Sequence, residues 1–194
     1  VNLAEILIAG PENIRDQKEG MAVLEQAIAA GDEMAAFNLG FYYERGKGLP
    51  RDFAKALQSY RRAAELGSLD AMHQIGVMYE HGTAVPQSIV TAAAFSPASA
   101  PELVEARRWY ERAASQGDSN GMLNLGLCYH RGRGVERNPV LAFRWLQHAF
   151  RRLPPDYGDR LRLEGILADL RRTVGAATVR QVESEIENWR PTRK

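Results

Sequence analysis

Residues 35–48 read Ala-Ala-Phe-Asn-Leu-Gly-Phe-Tyr-Tyr-Glu-Arg-Gly-Lys-Gly, and this stretch decides the fold because its skeleton returns twice. Ala35, Leu39, Gly40, Tyr43 and Gly46 are matched by Ala71, Ile75, Gly76, Tyr79 and Gly82, then by Gly121, Leu125, Gly126, Tyr129 and Gly132. Gly76 follows Gly40 by 36 residues, and Gly126 follows Gly76 by 50, so the third copy keeps the period after an insertion. A period of that size inside a helical pattern marks a stack of helical hairpins. The chain is expected to be all-α: a right-handed α-solenoid of stacked antiparallel helix pairs with a C-terminal capping helix pair.

Each unit resolves into helices A and B. In the first, Asp32 is placed to cap helix A over Glu33 to Arg45, and Gly46-Lys47-Gly48 stops it, because glycine adopts the left-handed cap geometry without steric cost. Asp52 then caps helix B, Phe53 to Leu66, which ends at Gly67. The last unit repeats the plan with Asn138 as cap and Pro139 at the first helical position, where a missing N–H costs nothing. Helix B stays in register too, Tyr60 to Ala64 becoming Tyr110 to Ala114 and then Leu146 to Phe150. Ala35, Gly40, Ala63 and Ala64 are expected to let helices approach closely, with Tyr43 and Tyr79 filling the space beside them.

The joint pattern, small-x-x-x-[LI]-G-x-x-Y-x-x-G with its in-phase helix B motif, resembles the Sel1-like repeat, a relative of the tetratricopeptide repeat. The resemblance covers residues 32–151 in three units, and Met21 to Gly31 looks like helix B of a fourth whose helix A is eroded or absent. The division follows: residues 1–31 an N-terminal helical cap and partial repeat, 32–67 repeat 1, 68–117 repeat 2 with an insertion at 86–101, 118–151 repeat 3, and 156–190 the capping helices, all one continuous domain. Departures from the pattern are Gly121 for alanine, Ala84 for the second glycine of the middle unit, and Phe150 for the final alanine.

Composition agrees with a globular helical chain. Of 194 residues, 45% are hydrophobic and 25% charged, enough apolar material for a continuous core. No apolar run is long enough to span a membrane, and Val1 to Gly10 lacks the pattern of a signal peptide. The lone Cys128 excludes an internal disulfide framework and leans the reading toward a reducing, intracellular compartment, cytoplasm or mitochondrion. The net charge of +1 hides a gradient: residues 1–103 sum to −5 and 104–194 to +6.

Two segments depart from the repeat. Residues 86–101 swell the turn of the middle unit into a Pro/Ser/Ala-rich loop that nonetheless carries Ile89, Val90 and Phe95. After Leu153-Pro154-Pro155, two amphipathic helices are expected, about Tyr157 to Thr173 and Ala176 to Trp189, with Gly175 between them, and these would close the open end of the stack.

Signatures of catalysis fail one by one. Gly46-Lys47-Gly48 and Gly132-Arg133-Gly134 follow helix C-termini, whereas phosphate cradles feed helix N-termini. Cys128 and His130 lie two residues apart on a helix and face different ways. His73, His81, His130 and His148 lack metal-ligand spacing, and the carboxylates read as solvated helix faces. No catalytic residue, metal or cofactor is expected.

What remains is surface. At 100° per residue, Met34, Asn38, Phe41 and Arg45 lie opposite the packed face of helix A. The equivalent rows are Asp70-Gln74-Val77-His81 and Asn120-Asn124-Leu127-Arg131. An apolar residue at 41, 77 and 127 flanked by amides at 38, 74 and 124 suits an extended peptide or a partner helix. The resemblance implies that this face lines the concave surface. The chain is therefore read as a non-enzymatic scaffold, adaptor or assembly subunit. Its protein partner would bind through Asn38, Phe41, Arg45, Gln74, Val77, His81, Asn124, Leu127 and Arg131, and through Ile89, Val90 and Phe95 of the insertion. The alternative is nucleic-acid binding through Arg107, Arg108, Arg151, Arg152, Arg160, Arg162, Arg171 and Arg172, against which stand the acids interleaved with them.

Overall fold

The computed structural model describes residues 2–11, 16–83 and 98–192, except the side chain of Asn2. They contain the helices α1 (Asn2–Ala9), α2 (Gln17–Ala29), α3 (Glu33–Arg45), α4 (Phe53–Glu65), α5 (Leu69–Glu80), α6 (Pro101–Ser115), α7 (Ser119–Arg131), α8 (Pro139–Arg152) and α9 (Arg160–Asn188). No strand occurs among the described residues. Residues 1–84 and 85–194 form two compact units, and the boundary falls at the insertion.

Short polar side chains start the helices. Asp16, Asp32, Asp52, Ser68, Asp118 and Asn138 each accept a hydrogen bond from a backbone N–H of the first turn, a group with no partner inside the helix. Gly46 and Gly132 end α3 and α7 in the left-handed conformation, at φ 67° and 73°. The second glycine of each Gly-x-Gly has a different role. A Cβ on Gly48 would collide with the Ile8 carbonyl, and one on Gly134 with the Leu103 carbonyl, so both permit close approach of another backbone.

In the first unit each helix packs on its sequence neighbours. Ala4, Ile8, Leu24, Ala35, Leu39, Tyr42 and Leu49 form the core that joins α1, α2 and α3. Helix A of the N-terminal pair is present: α1 packs on α2 so closely that a Cβ on Gly20 would stand 2.6 Å from the Ile8 Cγ1. At eight residues it is shorter than the repeat's A helices and lacks their Leu-Gly and Tyr signals, which is why the pattern did not announce it. Beside Gly40 the space is filled by Tyr60 of helix B rather than by Tyr43, with the Tyr60 Cδ1 2.6 Å from where a Cβ would sit. Tyr60 is 1% exposed. Its burial, with that of Leu24 and Ile8, contributes roughly 1.5–3 kcal/mol per side chain.

In the second unit Leu146 plays the part of Tyr60, its Cδ2 lying 2.7 Å from a Cβ built on Gly126. Leu163, Leu167 and Leu170 bury the first arm of α9, residues 160–174, and Val182 and Ile186 bury the second, 176–188. Gly175, at φ 81° and ψ 160°, breaks the helix between the arms, as its place in the sequence predicts. Arg171 pairs with Glu183 at 2.7 Å. Twelve residues of straight helix would hold them about 18 Å apart, so the arms fold back on one another. The chain beyond α9 is tied down as well: the backbone N–H and hydroxyl of Thr192 both donate to the Ser115 carbonyl at 2.9 Å.

Candidate partner-binding surface

Helical periodicity brings Phe41, Val77 and Leu127 to equivalent positions on α3, α5 and α7, and each is half-buried. Phe41 rests partly against the core of the first unit, its ring 6.2 Å from that of Tyr42. The exposed Arg45 places its guanidinium 5.9 Å from the Phe41 ring centre. Asn38 is half-buried one turn back, and Met34 is 50% exposed at the start of the row. On α5, Val77 is followed by the exposed His81, whose Nδ1 lies 2.8 Å from the Val77 carbonyl and donates to it. Each of the three A helices thus repeats one local pattern, a half-buried apolar residue with an amide one turn before it and a cationic or imidazole head one turn after it.

Gln74 is engaged within this surface. Its Nε2 donates to both carboxylate oxygens of Glu44, at 3.0 and 3.1 Å, linking the A helices of two successive repeats. The Tyr60 hydroxyl donates to the same carboxylate at 2.6 Å. Glu44 is therefore a structural acceptor rather than a carboxylate of a solvated face: packing of α3 on α4 brings Tyr60 within reach, and repeat-to-repeat stacking brings Gln74. Burial raises the Tyr60 pKa, and the bond to Glu44 raises it further.

On α7 the row is covered in part by the chain itself. Leu123, Asn124, Leu127 and Arg131 form one wall of a cleft of about 150 Å³, and the other wall comes from the start of α9 and the turn before it. The sequence offered no signal for this, since the approach depends on where the C-terminal hairpin docks. Ile89, Val90 and Phe95 of the predicted site lie outside the described residues.

Among the titratable groups, His148 departs furthest from expectation. Its register partner in repeat 1 is the exposed Arg62, yet His148 is 2% exposed. Burial, then the charges of Arg152, Arg144 and Arg151, push its pKa down to about 4. Arg152 donates to its Nδ1 at 3.1 Å, which fixes the neutral ring with its proton on Nε2. His130 is held below its usual range by burial and by Arg137 and Arg131, against Asp169. Cys128 is buried at 6% exposure, like the equivalent Tyr42 and Met78, and serves as packing. No three His, Cys, Asp or Glu side chains gather as a metal site among the described residues.

Most arginines of the C-terminal half are engaged. Arg107 pairs with Glu111 at 2.7 Å, Arg108 with Glu105, Arg171 with Glu183 and Arg172 with Asp169. Arg160 pairs with Glu164 at 3.7 Å and stacks on Phe150, and Arg152 stacks on Trp189. Of the eight singled out, Arg151 and Arg162 have neither ion-pair partner nor stacked ring among the described residues.

Comparison with known proteins finds the Sel1 repeat matching residues 33–68, 69–95, 101–118 and 119–151, more than half of the chain. In Arabidopsis thaliana the ERAD-associated E3 ubiquitin-protein ligase component HRD3A is 33% identical over 82 residues, 42% of this chain and 12% of that protein. The DAP3-binding cell death enhancer 1 of Mus musculus is 30% identical over 84 residues, 43% of this chain and 16% of its own length. The matched segment thus spans less than a fifth of either relative. A protective antigen of uropathogenic Escherichia coli with an SLR fold aligns at TM-score 0.63 and 29% identity, covering 79% of this chain and 30% of that one. The Sel1 repeat protein from Oxalobacter formigenes aligns at TM-score 0.57 and 27% identity, covering 69% and 49%.

Proposed function

This chain belongs to the Sel1 repeat family, an all-α solenoid of interaction repeats, and we propose that it acts as a non-catalytic scaffold, adaptor or assembly subunit that binds a protein partner through its A-helix row. The observation that carries the reading is the half-burial of Phe41, Val77 and Leu127 at one repeated position. Apolar side chains left partly open at a repeated helix position, flanked by hydrogen-bonding groups, are what a peptide or helix needs for anchoring and register. Asn38, Arg45, His81, Asn124 and Arg131 supply those flanking groups, and Gln74 contributes to the surface while bound to Glu44. The insertion residues Ile89, Val90 and Phe95 are assigned a second contact. Two relatives carry names that describe association with other proteins, a ligase component and a DAP3-binding protein, which accords with this class of function. No helix among the described residues is long and apolar enough to cross a membrane.

The test is affinity capture from native extract at two salt concentrations, with the intact chain, a Phe41→Glu/Val77→Glu variant, and a chain shortened between Gln87 and Ala100. A stoichiometric, salt-tolerant protein lost from the double variant supports the reading. Recovery of salt-sensitive nucleic acid alone overturns it in favour of the arginine surface.

A further inference from the structure

The cleft between α7 and the first arm of α9 has a composition that the rest of the A-helix row lacks. Its floor is aliphatic, from the buried Leu123 and the half-buried Leu127 and Ile166, and its rim carries Arg131 and Arg162, both exposed. Neither guanidinium has a carboxylate partner among the described residues, whereas Arg160, Arg171 and Arg172 on the same arm of α9 do. The volume, about 150 Å³, accommodates one medium-sized side chain rather than a helix. Asp159 also lines the cleft and makes no capping bond to α9, so its carboxylate remains available to accept a backbone N–H while the rim keeps a net charge of +1.

We infer that this cleft is the specificity pocket for an acidic peptide segment, taking one leucine- or phenylalanine-sized side chain between Arg131 and Arg162. The aliphatic floor holds that side chain, and the two guanidiniums take a carboxylate on the residue beside it, a charge-assisted arrangement stronger than a neutral hydrogen bond. The arm of α9 that caps the repeat thereby forms half of a binding site, which neither α7 nor α9 offers alone. The assignment rests on the scaffold reading above and narrows it to one class of peptide.

The probe is a synthetic peptide array in which a central leucine, phenylalanine or alanine is flanked by glutamate, glutamine or lysine, with affinities of selected peptides measured by fluorescence anisotropy on the intact chain. The expected result is retention of the glutamate-flanked leucine and phenylalanine peptides. Arg131→Gln/Arg162→Gln should weaken them roughly tenfold or more, and Ile166→Trp, which fills the cleft without adding charge, should do the same. Arg180→Gln, an exposed residue on the second arm of α9 outside the cleft, should leave them bound, and melting curves should confirm that each variant is folded. Equal retention of lysine-flanked peptides, retention of none, or indifference to the arginine variant would overturn the assignment. A natural partner lost with Phe41→Glu/Val77→Glu but held by the arginine variant would overturn this pocket alone and leave the scaffold reading in place.

Discussion

The imidazole of His148 stands edge-on to the indole of Trp189, with ring centroids 5.1 Å apart and planes at 64°. Arg152 covers the other neighbours of this contact: it donates to the His148 Nδ1 and lies 4.8 Å from the Trp189 ring centre. A residue just beyond the last helix thus seals a histidine of the last repeat.

That seal makes stability depend on pH in a defined window. The folded-state pKa of His148, about 4, lies below its ordinary 6.5, so between these values the unfolded chain binds the proton more readily. Its contribution is fully present above pH 6.5 and is lost as the pH falls through about 4, in total about 3 kcal/mol. Urea midpoints measured from pH 7 to 4 should fall for the wild type by more than for His148→Leu, which has no such proton to take up. Equal slopes would refute the assignment.

Removing the lid should release the ring. In Trp189→Ala, water reaches His148, desolvation weakens, and its pKa measured by NMR should move up toward the ordinary range while the melting temperature falls. A fall in melting temperature with an unmoved pKa would mean that burial within α8, not Trp189, sets the proton affinity.

Glycines on one fold should respond in opposite directions. Gly40→Ala drives a Cβ into the Tyr60 ring, which cannot retreat because Glu44 holds its hydroxyl at 2.6 Å and Phe37 packs at 5.3 Å, and the expected loss is about 1–3 kcal/mol. Gly165→Ala on the exposed outer face of α9 meets nothing within 4 Å and should gain about 0.5–1 kcal/mol from reduced chain entropy. Chemical denaturation of both variants gives the comparison.

Glu44 couples two repeats, so its truncation should be felt by residues 30 apart in sequence. Glu44→Ala leaves the Tyr60 hydroxyl and the Gln74 amide without their charged acceptor, a loss of about 1–3 kcal/mol. A double-mutant cycle of Glu44→Ala with Gln74→Ala should show clear non-additivity, whereas strict additivity would remove the bridge from the account.

Replacing Phe41 and Val77 with glutamate separates binding from folding. Both side chains are half-buried, so the helix content should be retained while capture of the partner is lost. Collapse of the fold on the Phe41 variant would instead place that residue in the core joining α1, α2 and α3.

The helices from α2 onward, their caps and the close-approach glycines were legible because each depends on chemistry within a few residues, whereas α1 lacks those local signals. Asp32 finds its backbone donors two and three residues on, and Gly46 ends its own helix. The break at Gly175 was legible for the same reason. The pairing of Glu44 with Gln74, and of Tyr60 with Gly40, was not, since helical spacing tells which face a residue is on but not which neighbour that face meets.

The sequence by itself determined the repeat, the order of helices from α2 onward and the apolar residues at 41, 77 and 127, because periodicity and capping are local properties of the chain. Tertiary structure alone decided that His148 is sealed while its repeat equivalent Arg62 is exposed, and that Leu127 and Arg131 face the first arm of α9 across a cleft. Both follow from where a non-repeating hairpin folds back onto the last repeat. That docking is set by burial of Leu163, Leu167, Leu170, Val182 and Ile186, a non-directional force that leaves no motif to read.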